Sequence, residues 1–381
     1  MAEATYDVIV IGLGAMGSAT AYHLASRGRR VLGLEAFAPL HRNGSSHGRT
    51  RGIREAYGES PDYVPLVQRA YALWRELEAE SGQPLLTITG GIGVAAGDSV
   101  GGRVGGQYES AAKYGLQIET LDADELMARY PGVRVPDGYV GVYDPHTGFL
   151  RPEACVAAHL DLAARHGATL RYEEPVREWA ADGDGVRVRT DRGTYRADRL
   201  ALLAGAWAGR LLADLGLPLD VRRMYNVYFE PTRPELYGAD RFPVWGLGVP
   251  EGSYYGVPYL PGDGFKIGRH DGGEPCTPET ARREVSAADI AALRDIVEKY
   301  LPGAVGPVRE TATCLYTMTP DGDFIIDRHP AHPQVAYASP CSGHGFKFSA
   351  AIGEIMTDLA LEGRSTLPIG FLSAARFAAV V

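Results

Sequence analysis

A short apolar run followed by three spaced glycines constrains this chain more than any other feature. Tyr6 to Ile11 is rich in β-branched residues, and Gly12-Leu13-Gly14-Ala15-Met16-Gly17 follows at once. Such a run reads as a buried strand. Gly12 permits the tight turn after it, Gly14 lets backbone approach a pyrophosphate, and Gly17 lets a helix pack closely on the strand. Helical spacing runs from Ala15 to about Ser26, and Gly28 stands where a C-terminal cap is wanted. The start of that helix, at Ala15 and Met16, presents free N–H groups and a positive dipole end to phosphate. A second strand, Arg30 to Leu34, ends in Glu35. An acid there falls about where a ribose hydroxyl finds its partner in a βαβ dinucleotide site. The chain is therefore expected to open with a Rossmann-like nucleotide fold. NAD and FAD share this fingerprint, so it does not choose between them.

The 381 residues suffice for about two domains. No run approaches the roughly 20 apolar residues that span a bilayer. A net charge of −9 argues against nucleic acid or an anionic membrane as the main partner. The first residues, Met1 to Asp7, lack a basic segment followed by an apolar core, so no secretory signal is expected. The end, Ala379-Val380-Val381, carries no address tail. Cys155, Cys276, Cys314 and Cys341 are scattered, with neither zinc spacing nor a disulfide framework. The expectation is a cytoplasmic protein without a metal.

Between the nucleotide-fold segments lie strand-rich stretches: Ile88 to Ala95, Tyr139 to Tyr143, Arg222 to Glu230, and a long run from Val244 through His270. They predict a second, mixed-sheet domain made of two insertions. Tyr225, Tyr228, Tyr254, Tyr255 and Tyr259 crowd into it, as well-packed sheet or as pocket lining. Gly101 to Gly106 reads as a local loop. Gly148 to Pro152 leads into a helix from about Glu153 to His166, and Leu200 to Ala204 is a buried strand before a turn at Gly205-Ala206-Trp207. In Gly264 to His270, alternation places Phe265 and Ile267 on one face and Lys266, Gly268 and His270 on the other. Lys266 and His270 would stand roughly 13 Å apart, too far to touch but able to border one wide ligand. Helical spacing resumes from about Gly345 to Leu361, entered through the donor-rich Ser342-Gly343-His344.

Several motifs occur together in one order. They are Ser45-Ser46-His47-Gly48 with Thr50-Arg51 and Ile53-Arg54, Lys266-Ile267-Gly268 with His270, Cys314 with Tyr316, and Phe324 to Asp327. Ser342-Gly343-His344-Gly345-Phe346-Lys347-Phe348 completes the set. With them the chain resembles, from Gly12 to about Phe377, the monomeric sarcosine oxidase family, which includes N-methyltryptophan oxidases. The resemblance implies an α/β fold: a Rossmann-like, D-amino-acid-oxidase-like FAD-binding domain with a mixed or antiparallel substrate domain inserted. The corresponding boundaries are 1–84, 147–216 and 318–381 for the first domain, and 85–146 and 217–317 for the second.

The same resemblance assigns residues. Cys314 matches a cysteine joined by a thioether to the flavin. Arg54 and Lys347 match the pair that grips a substrate carboxylate. Arg51 matches an arginine beside the flavin ring, and Lys266 the lysine credited with activating oxygen. Tyr255, Tyr316, His270 and His344 match pocket residues around the amine. Ser45, Ser46, His47, Gly343, Gly345 and Phe346 belong to segments that meet the cofactor. Where sarcosine oxidases carry a bulky methionine, Gly246 stands here, and Val257 replaces a phenylalanine. A roomier site follows, suited to a larger N-alkyl or cyclic amino acid. The implied activity is oxidation of secondary amino acids by FAD, with oxygen reduced to hydrogen peroxide, in a monomer. Because the amine must be neutral to release hydride, activity is expected to rise with pH. A flavin dehydrogenase with another acceptor, and a biosynthetic imino- or amino-acid oxidase, remain alternatives.

Overall fold

The computed structural model describes residues 5–97 and 102–380. The dinucleotide signature folds as its spacing dictates. The strand Thr5–Ile11 lies inside an eight-stranded sheet, parallel to Val31–Leu34 on one side and Thr194–Leu202 on the other. Val8, Ile9 and Val10 are fully buried, as a central parallel strand covered on both faces requires. Thr169–Arg171 and Val335–Ser339 extend the parallel part, and Val176–Asp182 and Gly185–Thr190 close one edge as a hairpin.

The helix Ala15–Ser26 follows the glycine turn, and Gly28, with φ +73°, ends it as expected. A Cβ on Gly17 would lie 1.7 Å from the Gly12 carbonyl oxygen, so only glycine lets this helix sit on its strand. The helices Pro152–Arg165 and Ser349–Glu362 pack against Ala15–Ser26. Ser349–Glu362 buries Ile352, Ile355, Met356 and Leu359, each worth about 1.5–3 kcal/mol on the area scale. Its Gly353 lets the two helix backbones meet, since a Cβ there would stand 2.5 Å from Ala19 Cβ.

The second sheet has nine strands and is mostly antiparallel. Gly91–Ala96 and Tyr139–Asp144 come from one stretch of chain, and Asp220–Phe229, Val244–Val249, Gly252–Leu260, Gly264–Arg269 and Val308–Met318 from another. The two stretches join where Val244–Val249 runs parallel to Gly91–Ala96. Phe265 and Ile267 enter the core beneath this sheet, while Lys266 faces the other way, as alternation requires. A third sheet of Arg51–Ile53, Leu86–Ile88 and Gly148–Leu150 bridges the two large ones. No helix of the described residues is long and apolar enough to cross a membrane.

Three expectations need correction. The stretch Ile88 to Ala95 is two strands in different sheets, because Gly90, at φ +71°, turns the chain between them. Gly101 to Gly106 was expected as a loop, yet a helix spans Gly102–Tyr114, with Gly101 outside the described residues. Packing overrides glycine's poor propensity there: a Cβ on Gly106 would stand 2.1 Å from the Gly58 carbonyl oxygen. Finally, the C-terminal helix begins at Ser349, preceded by a 3-10 turn at Phe346–Phe348.

Candidate active site

A cavity of about 870 Å³ runs from the glycine turn of the first sheet to the open face of the second. At one end lie Gly12, Gly14, Ala15, Met16 and Glu35. Ser46 Oγ accepts the Ala15 N–H at 2.9 Å. Glu35 is buried, and its carboxylate accepts Leu13 N–H at 2.8 Å and Phe37 N–H at 3.1 Å. The helix start and the acid are therefore held rigidly at the wall.

The middle of the cavity is bounded by Ser45, Arg51, Lys266 and Cys314. Ser45 Oγ donates to the Leu315 carbonyl, and Arg51 donates to the Thr50 carbonyl at 2.9 Å. Lys266 is 1% exposed and donates to the Thr50 carbonyl at 2.7 Å and the Gly48 carbonyl at 3.4 Å. Burial, and then the Arg51 cation, push its pKa well below the usual lysine range. Cys314 is also buried. Desolvation pushes its thiol up, against the pull of Arg51 and Lys266. Cys314 and Tyr316 lie two apart on Val308–Met318 and share one face.

At the far end Tyr255, Tyr316 and His270 form an aromatic wall. The His270 ring lies 6.2 Å from Tyr255 and 5.8 Å from Tyr316. Burial raises the Tyr316 phenol well above its usual range, so it stays protonated. Beyond them stand Arg54 and Lys347, with Tyr57 between. The Arg54 guanidinium lies 4.7 Å from the Tyr57 ring centre, and the Lys347 ammonium 5.3 Å. Lys347 donates to the His344 carbonyl at 2.6 Å. Arg54 Nη2 donates to both carboxylate oxygens of Glu59, one at 2.5 Å, while its Nε is buried without a partner among the described residues. The His344 ring nitrogens face Tyr57 OH at 2.6 Å and the Gly322 carbonyl at 3.1 Å, and burial lowers its pKa to about 3.

Gly343, Gly345 and Phe346 line the cavity with His344 and Lys347. Gly246 opens a chamber beside them. Its strand neighbour is Gly93, and a Cβ on Gly246 would meet nothing nearer than Tyr254 O at 3.9 Å. Gln107 closes that chamber, with Oε1 2.5 Å from where a Gly93 Cβ would be.

Two expected residues lie behind the wall. Gly17 packs on Gly12, and His47 turns away, its Nε2 2.7 Å from the Thr313 carbonyl. The sequence offered no sign of Tyr57, Glu59 or Gln107, which reach the site through distant packing. Among the crowded tyrosines only Tyr255 lines the cavity; Tyr254 is core, and Tyr228 donates to the Gly48 carbonyl at 2.7 Å. No group of three or more metal-ligating side chains is found among the described residues.

Residues 7–359 match the family of FAD dependent oxidoreductases known as DAO. The chain belongs to that family. It is 45% identical to a monomeric sarcosine oxidase of Streptomyces avermitilis, covering 98% of each chain. It is 38% identical to an N-methyl-L-tryptophan oxidase of Salmonella newport, covering 93% of this chain and 95% of that one. Among solved structures, NikD, an amino acid oxidase essential for nikkomycin biosynthesis, superposes with a TM-score of 0.86 at 29% identity, over 97% of each chain.

The residues of this FAD-dependent oxidoreductase fit the cofactor its family uses. A Cβ on Gly14 would approach only Ser46 Oγ, at 3.1 Å, so backbone stands bare toward the cavity. The buried acid Glu35 follows the second strand directly, and a long, largely apolar gallery continues to Cys314. That gallery leaves room for a flat ring beside the thiol.

Proposed function

We propose that the protein oxidises secondary amino acids, N-methylated or cyclic and larger than sarcosine, with oxygen as acceptor. The pairing of Arg54 and Lys347 across Tyr57, at the end of a cavity also lined by Lys266 and Cys314, carries the proposal. The names of the sarcosine and N-methyltryptophan oxidases it resembles support the same class.

When bound, FAD would supply the two-electron chemistry: oxidation of the amine to an imine, with loss of a hydride and a proton, and reduction of oxygen to hydrogen peroxide by the same two electrons and two protons. The chain does the rest. Arg54 and Lys347 hold the carboxylate, the arginine as a bidentate fork; charged hydrogen bonds of this kind contribute about 1.5–3 kcal/mol each. Glu59 takes up only Nη2 of that guanidinium and leaves Nε without a partner among the described residues, so a substrate carboxylate must share or displace the Glu59 contact to complete the fork. Anchoring at one end fixes where the amine and its neighbouring carbon lie, which is a proximity effect. Tyr255, Tyr316 and His270 surround the amine. His344 stays neutral because burial holds its pKa to about 3, so it adds no cation to repel the substrate.

Gly12, Gly14, Ala15, Met16 and Glu35 would hold the nucleotide half of FAD. Ser45, Ser46, Arg51 and the Gly343 to Lys347 turn would hold the flavin half, bonded through Cys314. Lys266 supplies charge on the oxygen side. Gly93 and Gly246 leave space for a side chain, with the Gln107 amide at its end. FAD binding is assigned to 1–84, 147–216 and 318–381, and substrate binding to 85–146 and 217–317, in a monomeric cytoplasmic protein.

The test is a peroxide screen of the purified yellow protein against sarcosine, N-methyl-L-tryptophan, L-pipecolate and L-proline. The expected result is peroxide with a larger substrate, anaerobic bleaching, and quick return of colour in air. Bleaching that air does not reverse would indicate a dehydrogenase. No bleaching with any of them would overturn the proposal.

A further inference from the structure

The loop that carries Lys266's hydrogen-bond partners is strained, and a carboxylate outside the cavity holds it so. Gly48 has φ +101° and Arg49 φ +58°, two consecutive left-handed residues, the second with a side chain. Such a residue costs on the order of 1–3 kcal/mol and persists only where its surroundings impose it. Here the imposing group is Glu153, in the first turn of the helix Pro152–Arg165. Its Oε1 accepts both N–H groups, Gly48 at 2.7 Å and Arg49 at 3.3 Å. With the N–H groups gathered on that oxygen, the carbonyls turn the other way. The Gly48 carbonyl meets Tyr228 OH at 2.7 Å and Lys266 Nζ at 3.4 Å, and the Thr50 carbonyl meets Lys266 Nζ at 2.7 Å. The turn is closed by Thr50 N–H on the Gly48 carbonyl at 2.5 Å. Arg49 is pinned from outside by Asp263 at 2.8 Å and by Glu310.

We infer that Glu153 is a positioning residue for Lys266: it turns the Gly48 and Thr50 carbonyls onto the lysine ammonium and supplies the negative charge that offsets Arg51. It thereby sets how fast the reduced enzyme reacts with oxygen. The inference rests on the oxygen-side role proposed for Lys266. Two features of the electrostatics agree. Backbone donors keep the Glu153 carboxyl below its usual range although burial opposes this, so it is anionic. Burial and the Arg51 cation disfavour the charged form of Lys266, and Glu153 opposes them from the acidic side; a Cys314 thiolate would do the same, which a thioether at Cys314 would remove.

The experiment compares the two half-reactions by stopped flow in wild type, Glu153→Gln, Lys266→Met and the double variant. Glutamine keeps an acceptor for the two N–H groups and removes the charge. The expected result for Glu153→Gln is anaerobic reduction by substrate within about twofold of wild type, and reoxidation by oxygen slowed about tenfold or more. In the double variant, reoxidation should be no slower than in Lys266→Met, because Glu153 acts through the lysine. Glu153→Asp should recover part of the loss. Normal reoxidation in Glu153→Gln, or additive losses in the double variant, would overturn the inference. If Lys266→Met itself reoxidises normally, the role proposed for the lysine fails first, which is a distinct outcome. Circular dichroism and flavin content of each variant separate misfolding from a kinetic effect.

Discussion

Cys314 stands 3% exposed on a strand face, with the Arg51 and Lys266 cations near enough to oppose the rise that burial imposes on its thiol. Cations beside a buried thiol favour the thiolate, the form in which sulfur acts as a nucleophile. Replacing sulfur by oxygen at this position removes that chemistry with little change of shape. Cys314→Ser is therefore expected to fold and to bind FAD, but to lose it on acid precipitation. Absorbance near the flavin band, read in pellet and supernatant, checks this; colour that stays in the serine variant's pellet places the linkage elsewhere. The clamp belongs to the same scale. Arg54→Ala removes the guanidinium that faces Glu59 and leaves the substrate without a fork, so KM should rise by about tenfold to a hundredfold for a carboxylate substrate. Steady-state kinetics on a substrate and on its decarboxylated amine distinguishes this: the amine should lose little. The place of Lys266 at the site was implied only by the family resemblance, but the face that it occupies was legible from alternation, since Phe265 and Ile267 had to face the core. Tyr57 was not, because nothing local marks a ring that two cations flank.

At the scale of the element, register decides what the substrate meets. Gly93 and Gly246 are direct neighbours across parallel strands, so two side chains are missing from one spot on the cavity face. Had either strand slipped by one residue, core residues such as Ile92 or Trp245 would face the cavity instead. Gly246→Met puts a flexible apolar chain into that space. A glycine within a strand also costs about 0.5–1 kcal/mol, so the variant should be no less stable than wild type. The expected outcome is an unchanged or higher Tm, a KM for N-methyl-L-tryptophan raised about tenfold or more, and little change for sarcosine. An equal loss on both substrates would show that the chamber does not receive the side chain. Although Ile88 to Ala95 was read as one strand where the structure has two, that both stretches are strand-rich was readable in the sequence. The neighbourhood of Gly93 with Gly246 was not, since residues so far apart in sequence meet only through sheet assembly.

For the whole molecule, burial sets the acid limit. Desolvation lowers His23 and His47 to a pKa of about 4, and His159 and His344 to about 3. Above about pH 7.5, a unit over the usual histidine pKa of about 6.5, these rings are neutral in both folded and unfolded chains and contribute nothing to pH dependence. Below it the unfolded chain binds protons that the folded chain refuses, so stability falls as pH drops toward 4. Each ring costs about 1.4 kcal/mol per pH unit in that window. Tm should therefore fall steeply between pH 6 and 4 and change little between pH 7 and 8. Differential scanning fluorimetry across that range checks it, and a His159→Phe variant should show a shallower slope. A Tm that stays level down to pH 4 would mean that these rings are solvated.

The order of residues alone determined the opening strand, turn and helix. Ile11 to Gly17 can satisfy sterics, close packing and anion binding in one local arrangement only. The short motifs spread along the chain likewise marked the cofactor class and most of the residues now found around one cavity. Only tertiary structure decided the rest. A helix runs through the Gly102 to Gly106 stretch because Gly106 packs on Gly58 backbone. Arg54 faces Glu59, His47 turns away from the cavity, and Glu153 reaches back to a loop about a hundred residues earlier. Contacts of that kind depend on distances between segments that local propensity and pattern do not encode. They are set by which surfaces bury against each other once the sheets assemble.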